Sequence, residues 1–228
     1  MSLFAIADTH LSFGTNKPMD AFEGWQNYTQ RLEKNWNNLV EDSDFVIIAG
    51  DISWAMSFEQ LYADFDFINK LKGKKIILKG NHDYWWNTVK KMNEFVEKNN
   101  FDTISFLHNN SYEFEGFSVC GSRGWLFDSD EEQDEKVLNR EVLRLKMSLD
   151  SSESEDKIVF LHYPPITTNE KCEEILNLLK NYGIKKCYYG HLHGVAAKYA
   201  IDDKIDEIDF KLISADRLNF TPYLIKKF

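Results

Sequence analysis

Short, largely apolar runs at 3–7, 45–49 and 75–79 alternate with longer amphipathic stretches. Each run is short for a helix and too apolar for a strand with one wet face, so each reads as a strand covered on both sides. Trp25, Tyr28, Leu32, Trp36 and Leu39 recur at spacings of three and four. That spacing predicts a helix over 22–40 with this face toward a core. Phe58, Leu61, Phe65, Ile68 and Leu71 predict a second helix. Ser57 and Gln60 fit a capping box at its start, and Lys72-Gly73-Lys74 suits its end. A third helix is expected from Tyr84 to about Lys98. Strand and helix in alternation imply a mostly parallel sheet with right-handed crossovers.

The pattern changes after residue 100. Residues 103–107, 112–115 and 117–120 read as short strands, the last two joined at Gly116 in a tight hairpin. This favours a mixed sheet, or a second sheet, over a purely doubly wound fold. The acidic run at 128–135 reads as a solvated loop entering a helix that carries Leu138, Val142, Leu145 and Leu149. A strand at 158–161 leads into Tyr163-Pro164-Pro165, which bars an immediate helix. Cys172, Ile175, Leu176, Leu179 and Tyr182 mark one further helix, followed by a strand at 186–189. Loose alternation over 195–213 and 218–225 predicts two or three antiparallel strands. With no repeat and no linker, residues 1–228 read as a single domain.

Composition narrows the function. A formal net charge of -10 argues against a nucleic-acid binder working through a broad basic surface. Cys120, Cys172 and Cys187 have no paired spacing, and read as free thiols of a reducing compartment. No signal peptide or membrane span is evident, so a cytoplasmic protein is expected. The 17 Phe, 10 Tyr and 6 Trp mostly supply the core.

The chemistry lies where the strands end. The first run ends in Asp8-Thr9-His10, the second in Gly50-Asp51 and the third in Gly80-Asn81-His82-Asp83. Two later runs end in His162 and in Gly190-His191-Leu192-His193. Five of the chain's six histidines fall in these motifs, which a scatter of core histidines would not produce. Asp8 and His10 are two apart, as are His191 and His193, so an extended backbone would point each pair to one side. Carboxylate, imidazole and amide oxygen make a donor set for Mn, Fe, Zn, Ni or Co, without the thiolates of a structural zinc site. Asp8, His10, Asp51, Asn81, His162, His191 and His193 are too many donors for one ion, and suit two that share a carboxylate.

The ordered series Asp-x-His, Gly-Asp, Gly-Asn-His-Asp, His, Gly-His-x-His resembles the calcineurin-like metallophosphoesterases over residues 8–193. The resemblance implies an α/β four-layer α/β/β/α sandwich with two mixed β-sheets. It implies that Asp8, His10 and His193 hold one ion, that Asn81, His162 and His191 hold a second, and that Asp51 bridges them. It makes His82 a proton or hydrogen-bond donor to substrate, oriented by Asp83. Two cations about 4 Å apart would acidify a shared water to a hydroxide that attacks phosphorus in line. A small phosphomonoester or phosphodiester is the expected substrate. A phosphoprotein phosphatase and a metal-dependent binding or scaffold module are the alternatives. Arg123 and Trp125, after the 117–120 strand, are candidates for substrate contact, since arginine suits phosphate. Nothing in the sequence specifies an oligomeric state.

Overall fold

The computed structural model describes residues 1–125 and 135–228. Of the acidic run, only Glu135 falls among the described residues. Two sheets form, as the late hairpin suggests. In the first, β1 (Ser2–Ile6), β2 (Phe45–Ala49), β3 (Lys74–Leu78) and β4 (Ile104–Phe106) run parallel. The second contains β5 (Tyr112–Phe114), β6 (Phe117–Ser122), β7 (Lys157–Leu161), β8 (Lys186–Tyr189), β9 (Lys204–Ile205) and β10 (Ile208–Leu212). Its order is β5-β6-β7-β8-β10-β9, with only the two edge strands antiparallel. β11 (Tyr223–Lys227) returns to the first sheet and pairs antiparallel with β1.

Strand alternation divides the core. Phe4, Ile6, Val46, Ile48 and Ile77 face outward onto α1 (Tyr28–Leu39), α2 (Phe58–Lys70) and α3 (Val89–Lys98). Their sequence neighbours Leu3, Ala5, Ile47, Ala49, Ile76 and Leu78 face the other sheet, meeting Val119, Ile158, Phe160 and Tyr188. The far side of the second sheet is covered by α4 (Glu135–Asp150) and α5 (Glu173–Asn181), through Leu138, Leu145, Ile175 and Leu179. Helix, sheet, sheet and helix are therefore stacked in four layers, with the central strands covered on both faces. Among the described residues no helix is long and apolar enough to cross a membrane.

Three boundaries differ from the sequence reading, each for a local reason. α1 starts at Tyr28 rather than at 22, because Asn27 is left-handed (φ 51) and 19–21 form a single 3-10 turn. Trp25 is buried from that loop, and Leu39, expected in the core, is 47% exposed while Val40 takes the interior place. α3 starts at Val89 rather than Tyr84, capped by Thr88, because 82–86 are folded into tight turns. In the tail, 194–199 is a 3-10 helix and β10 is parallel to β8, so the expected antiparallel strands reduce to β9 and β11. The Ser57 cap forms as expected, with its hydroxyl accepting from Gln60 N, but Gln60 Oε1 takes the N–H of Met56 rather than that of Ser57.

Candidate metal centre

The parallel strands of both sheets end at one edge, the place where an α/β fold builds its sites. β1, β2 and β3 deliver Asp8, His10, Asp51, Asn81 and His82 from one sheet. β7 and β8 deliver His162, His191 and His193 from the other. The convergence is not achieved by extended backbone, contrary to the expectation for Asp-x-His. Asp8 (φ 59), His10 (φ 42), Asp51 (φ 50) and His191 (φ 74) are all left-handed. Non-glycine residues in that region cost roughly 1 kcal/mol or more each, and such strain gathers at functional sites.

Glycines let the turns close. A Cβ on Gly80 would lie 2.1 Å from Asp51 Oδ1, and one on Gly190 2.4 Å from Asp8 Oδ2. Both motif glycines are therefore required by close approach.

Two groups of donors form. Asp8, His10 and His193 bring their ligand atoms within 4.8 Å of one another, as do Asp8, Asp51 and His162. In the first, His193 Nε2 lies 3.2 Å from Asp8 Oδ1 and 3.3 Å from His10 Nε2. Around the second, Asn81 Oδ1 lies 2.6 Å from His162 Nε2 and 3.1 Å from His191 Nδ1. Asp51 faces both: Oδ2 is 3.7 Å from His10 Nε2 and Oδ1 is 3.5 Å from His162 Nε2.

The supporting contacts fix which ring nitrogen points inward. Ala49 O, which can only accept, is 3.1 Å from His162 Nδ1, so that nitrogen carries the proton and Nε2 turns its lone pair to Asn81 and Asp51. Asp216 Oδ1, 3.1 Å from His193 Nδ1, does the same for His193. Tyr28 donates its hydroxyl to His10 O at 3.0 Å.

Electrostatically the cluster is short of positive charge. Burial pushes the His10 and His191 rings down to about 3, so both are neutral. Burial, and then the Asp8 charge, push the Asp51 carboxyl up to about 8. Burial alone would raise Asp8 and lower His193. Their mutual attraction prevails, holding Asp8 below the usual carboxylate range and His193 up at about 10. Asp8 and Asp51 are both essentially inaccessible; Asp51 faces the Nε2 atoms of His10 and His162, while Asp8 accepts from His191 N and pairs with His193. Buried acceptors facing acceptors fit cations, and this nitrogen and oxygen set fits two divalent metals.

Asp83 does not contact the His82 ring, which corrects the orienting role expected for it. Its Oδ2 accepts from the N–H groups of Asp51 and Gly80, at 2.9 and 2.7 Å. Its Oδ1 accepts from Ile52 N, Ser53 N and Trp85 Nε1. Burial, and then Asp51 beside it, push this carboxyl upward against those donors. Asp83 thus clamps the Asp51 loop onto the Gly80 turn. His82 Nδ1 lies 3.2 Å from the Tyr84 hydroxyl instead, and His82 N donates to Asp51 Oδ1 at 2.8 Å.

The structure does not bring the Arg123 and Trp125 side chains among the metal donors. The Arg123 guanidinium is held at 3.1 Å by the buried Glu141, which also binds Arg144. Its carbonyl, in contrast, accepts from His162 N and Tyr163 N and so anchors the end of β7. Trp125 is 7% exposed, with its ring 5.9 Å from that of Tyr163, which in turn packs 4.4 Å from His191. The aromatic wall at the donors is Trp54, stacked on His10 at 5.0 Å and tilted against His82 at 4.5 Å, together with Trp25. Asp216 and Tyr28 carried no motif signal, since one lies 23 residues past His193 and the other sits in an apolar periodicity.

The sequence profile of the calcineurin-like phosphoesterases matches residues 1–195. An uncharacterized protein of Methanocaldococcus jannaschii is 27% identical over 128 residues, covering 52% of this chain and 67% of its own. Among solved structures, phosphopantetheinyl hydrolase from Mycobacterium tuberculosis superposes with a TM-score of 0.58 at 14% identity, over 100% of this chain and 96% of that one. A protein of unknown function from Aquifex aeolicus gives 0.55 at 17% identity, over 98% and 95%. At such identities the structures speak for the fold alone. The profile spans most of the chain and every one of the strand-end motifs: the chain belongs to the calcineurin-like phosphoesterases.

Proposed function

We propose that this chain is a dinuclear metal-dependent hydrolase of a small phosphomonoester or phosphodiester. The observation that carries the reading is Asp51, whose two carboxylate oxygens face different donor groups. Asp8, His10 and His193 would hold one ion, Asn81, His162 and His191 the other, and Asp51 both. Such a pair, drawn from Mn, Fe, Zn, Ni or Co, supplies Lewis-acid polarisation of the phosphoryl oxygens and an acidified water as nucleophile.

The chain's own groups have defined tasks. Ala49 O and Asp216 hold the His162 and His193 rings in the tautomer that presents Nε2 inward. With Nδ1 turned to Tyr84, His82 Nε2 is the ring atom left to donate to the ester. Burial lowers the His82 pKa, so the neutral ring serves as an N–H donor until a phosphoryl anion beside it raises its basicity. The pairing of β11 with β1 supports a single domain over 1–228, and three unpaired buried thiols support a cytoplasmic setting.

The test is hydrolysis of para-nitrophenyl phosphate and bis-para-nitrophenyl phosphate by protein stripped of metal and refilled with each candidate ion. Turnover that requires metal and is lost in Asp51→Asn supports the reading, and the ratio of the two rates assigns monoester or diester. No turnover with any ion, in folded protein that binds two per chain, overturns it.

A further inference from the structure

A cleft of about 640 Å³ opens directly beside the donor groups. His10, His82 and His193 form its inner end. Its walls are Met19, Phe22, Trp25, Trp54 and Val195. The size is that of a pocket enclosing most of a small organic ligand.

We propose that this cleft takes the organic half of the phosphoester, and that this half is an uncharged apolar body such as an alkyl or acyl chain. The inference rests on the phosphoester reading and adds the substrate class.

Three observations carry it. The cleft is continuous with the donor cluster through three histidines, so a phosphoryl group held at the metals directs its ester substituent along these walls. Phe22 and Val195 stand at 58% and 78% exposed, large apolar groups left in water on the cleft lining. Apolar walls with few polar groups recognise apolar ligands by area removed from water. The lining offers, among the described residues, no hydroxyl or amide side chain to satisfy a sugar.

The aromatic rings do not offer a slot for a nucleobase either. Trp54 is stacked on the His10 ring, with the Lys17 ammonium 4.7 Å from its centroid. Trp25 is already engaged in T-shaped contacts with Tyr28 and Phe220 at 5.3 and 5.0 Å. Glu23, on the lining, opposes a second phosphate, as does the net charge of -10.

The experiment titrates ethyl-, butyl-, hexyl- and octylphosphonate into manganese-loaded protein by calorimetry. Their P–C bond is not hydrolysed, so binding is read without turnover. Affinity is expected to rise about three- to fourfold per methylene, and so about 700-fold or more over the six methylenes from ethyl to octyl. In the Phe22→Ser, Val195→Ser double variant, both changes lying at exposed sites, the octyl-to-ethyl ratio should fall about tenfold or more. Ethylphosphonate that binds with no gain along the series overturns the apolar subsite and leaves the phosphoester reading standing. A series that gains affinity equally in wild type and double variant places the chain elsewhere and also overturns it. Failure of every phosphonate to bind overturns both.

Discussion

Asp216 Oδ1 lies 3.1 Å from His193 Nδ1, and its other oxygen accepts from Gly194 N at 2.9 Å. One carboxylate from the loop before β11 thus sets both the ring and the backbone of the last histidine of the motif series. Partners of this kind fix the tautomer and raise the basicity of the inward nitrogen.

Asp216→Asn should therefore weaken the first donor group without touching it. We expect metal affinity to fall about 10- to 100-fold. A chelator-competition titration of the purified variant checks this, and unchanged affinity would remove Asp216 from the site.

Asp51→Asn should cost more than any other single donor. The carboxylate faces both groups, so metal analysis after refilling should find fewer than one ion per chain where the wild type takes two. A variant that still binds one ion tightly would mean that Asp51 serves only one group.

Asp83 bears on stability before it bears on chemistry. Its removal strands four backbone N–H groups and the Trp85 indole in a buried place. At about 1–3 kcal/mol per unsatisfied donor, offset where water enters, Asp83→Ala should lose at least about 3 kcal/mol. Urea unfolding of the metal-free protein reads this. If stability is retained while activity is lost, Asp83 acts on the reaction after all.

The metal-free protein should weaken as pH rises above about 7. His193 is raised from 6.5 to about 10, so its contribution is complete below 6.5 and is lost as pH climbs through about 10. Asp51 is raised from 3.8 to about 8, so burying it costs nothing below 3.8 and progressively more up to about 8. Asp8 moves the opposite way, and its contribution is constant above 3.8. The His10 and His191 rings, held down at about 3 in the folded protein, oppose this trend below about 6.5, so the urea midpoint of stripped protein is expected to fall from pH 7 to pH 9. Metal uptake near pH 7 should release protons from His193 and Asp51, seen as a buffer-dependent binding heat. A midpoint that rises over this range would contradict these assignments.

The motif strands were legible because each is a short apolar run closed by a polar residue, a pattern that survives without tertiary context. The helix starts were not. Trp25 and Trp85 continue an apolar spacing of three and four into segments that are loops, because they are buried from turns. The geometry of Asp-x-His departs from alternation for a related reason, since left-handed backbone at Asp8 and His10 breaks the two-residue period that the spacing assumes. Arg123 has the residue type of a phosphate contact, yet its partner Glu141 lies on a different element, and no spacing pairs the two. Asp216 was invisible on the same grounds.

The donor groups draw on both sheets: His10 meets His193 across 183 residues of chain, and Asn81 meets His162 across 81. Besides apolar contact, hydrogen bonds such as those from His162 Nδ1 to Ala49 O and from Ala7 N to Ile213 O join the sheets at that edge. A cation seated there is accordingly a rivet, a reversible cross-link closing loops as long as most of the molecule. Chelation would do more than silence a reaction. It would let the two halves of the sandwich breathe apart, and hydrogen exchange along the facing ends of β1 and β8 would register the opening.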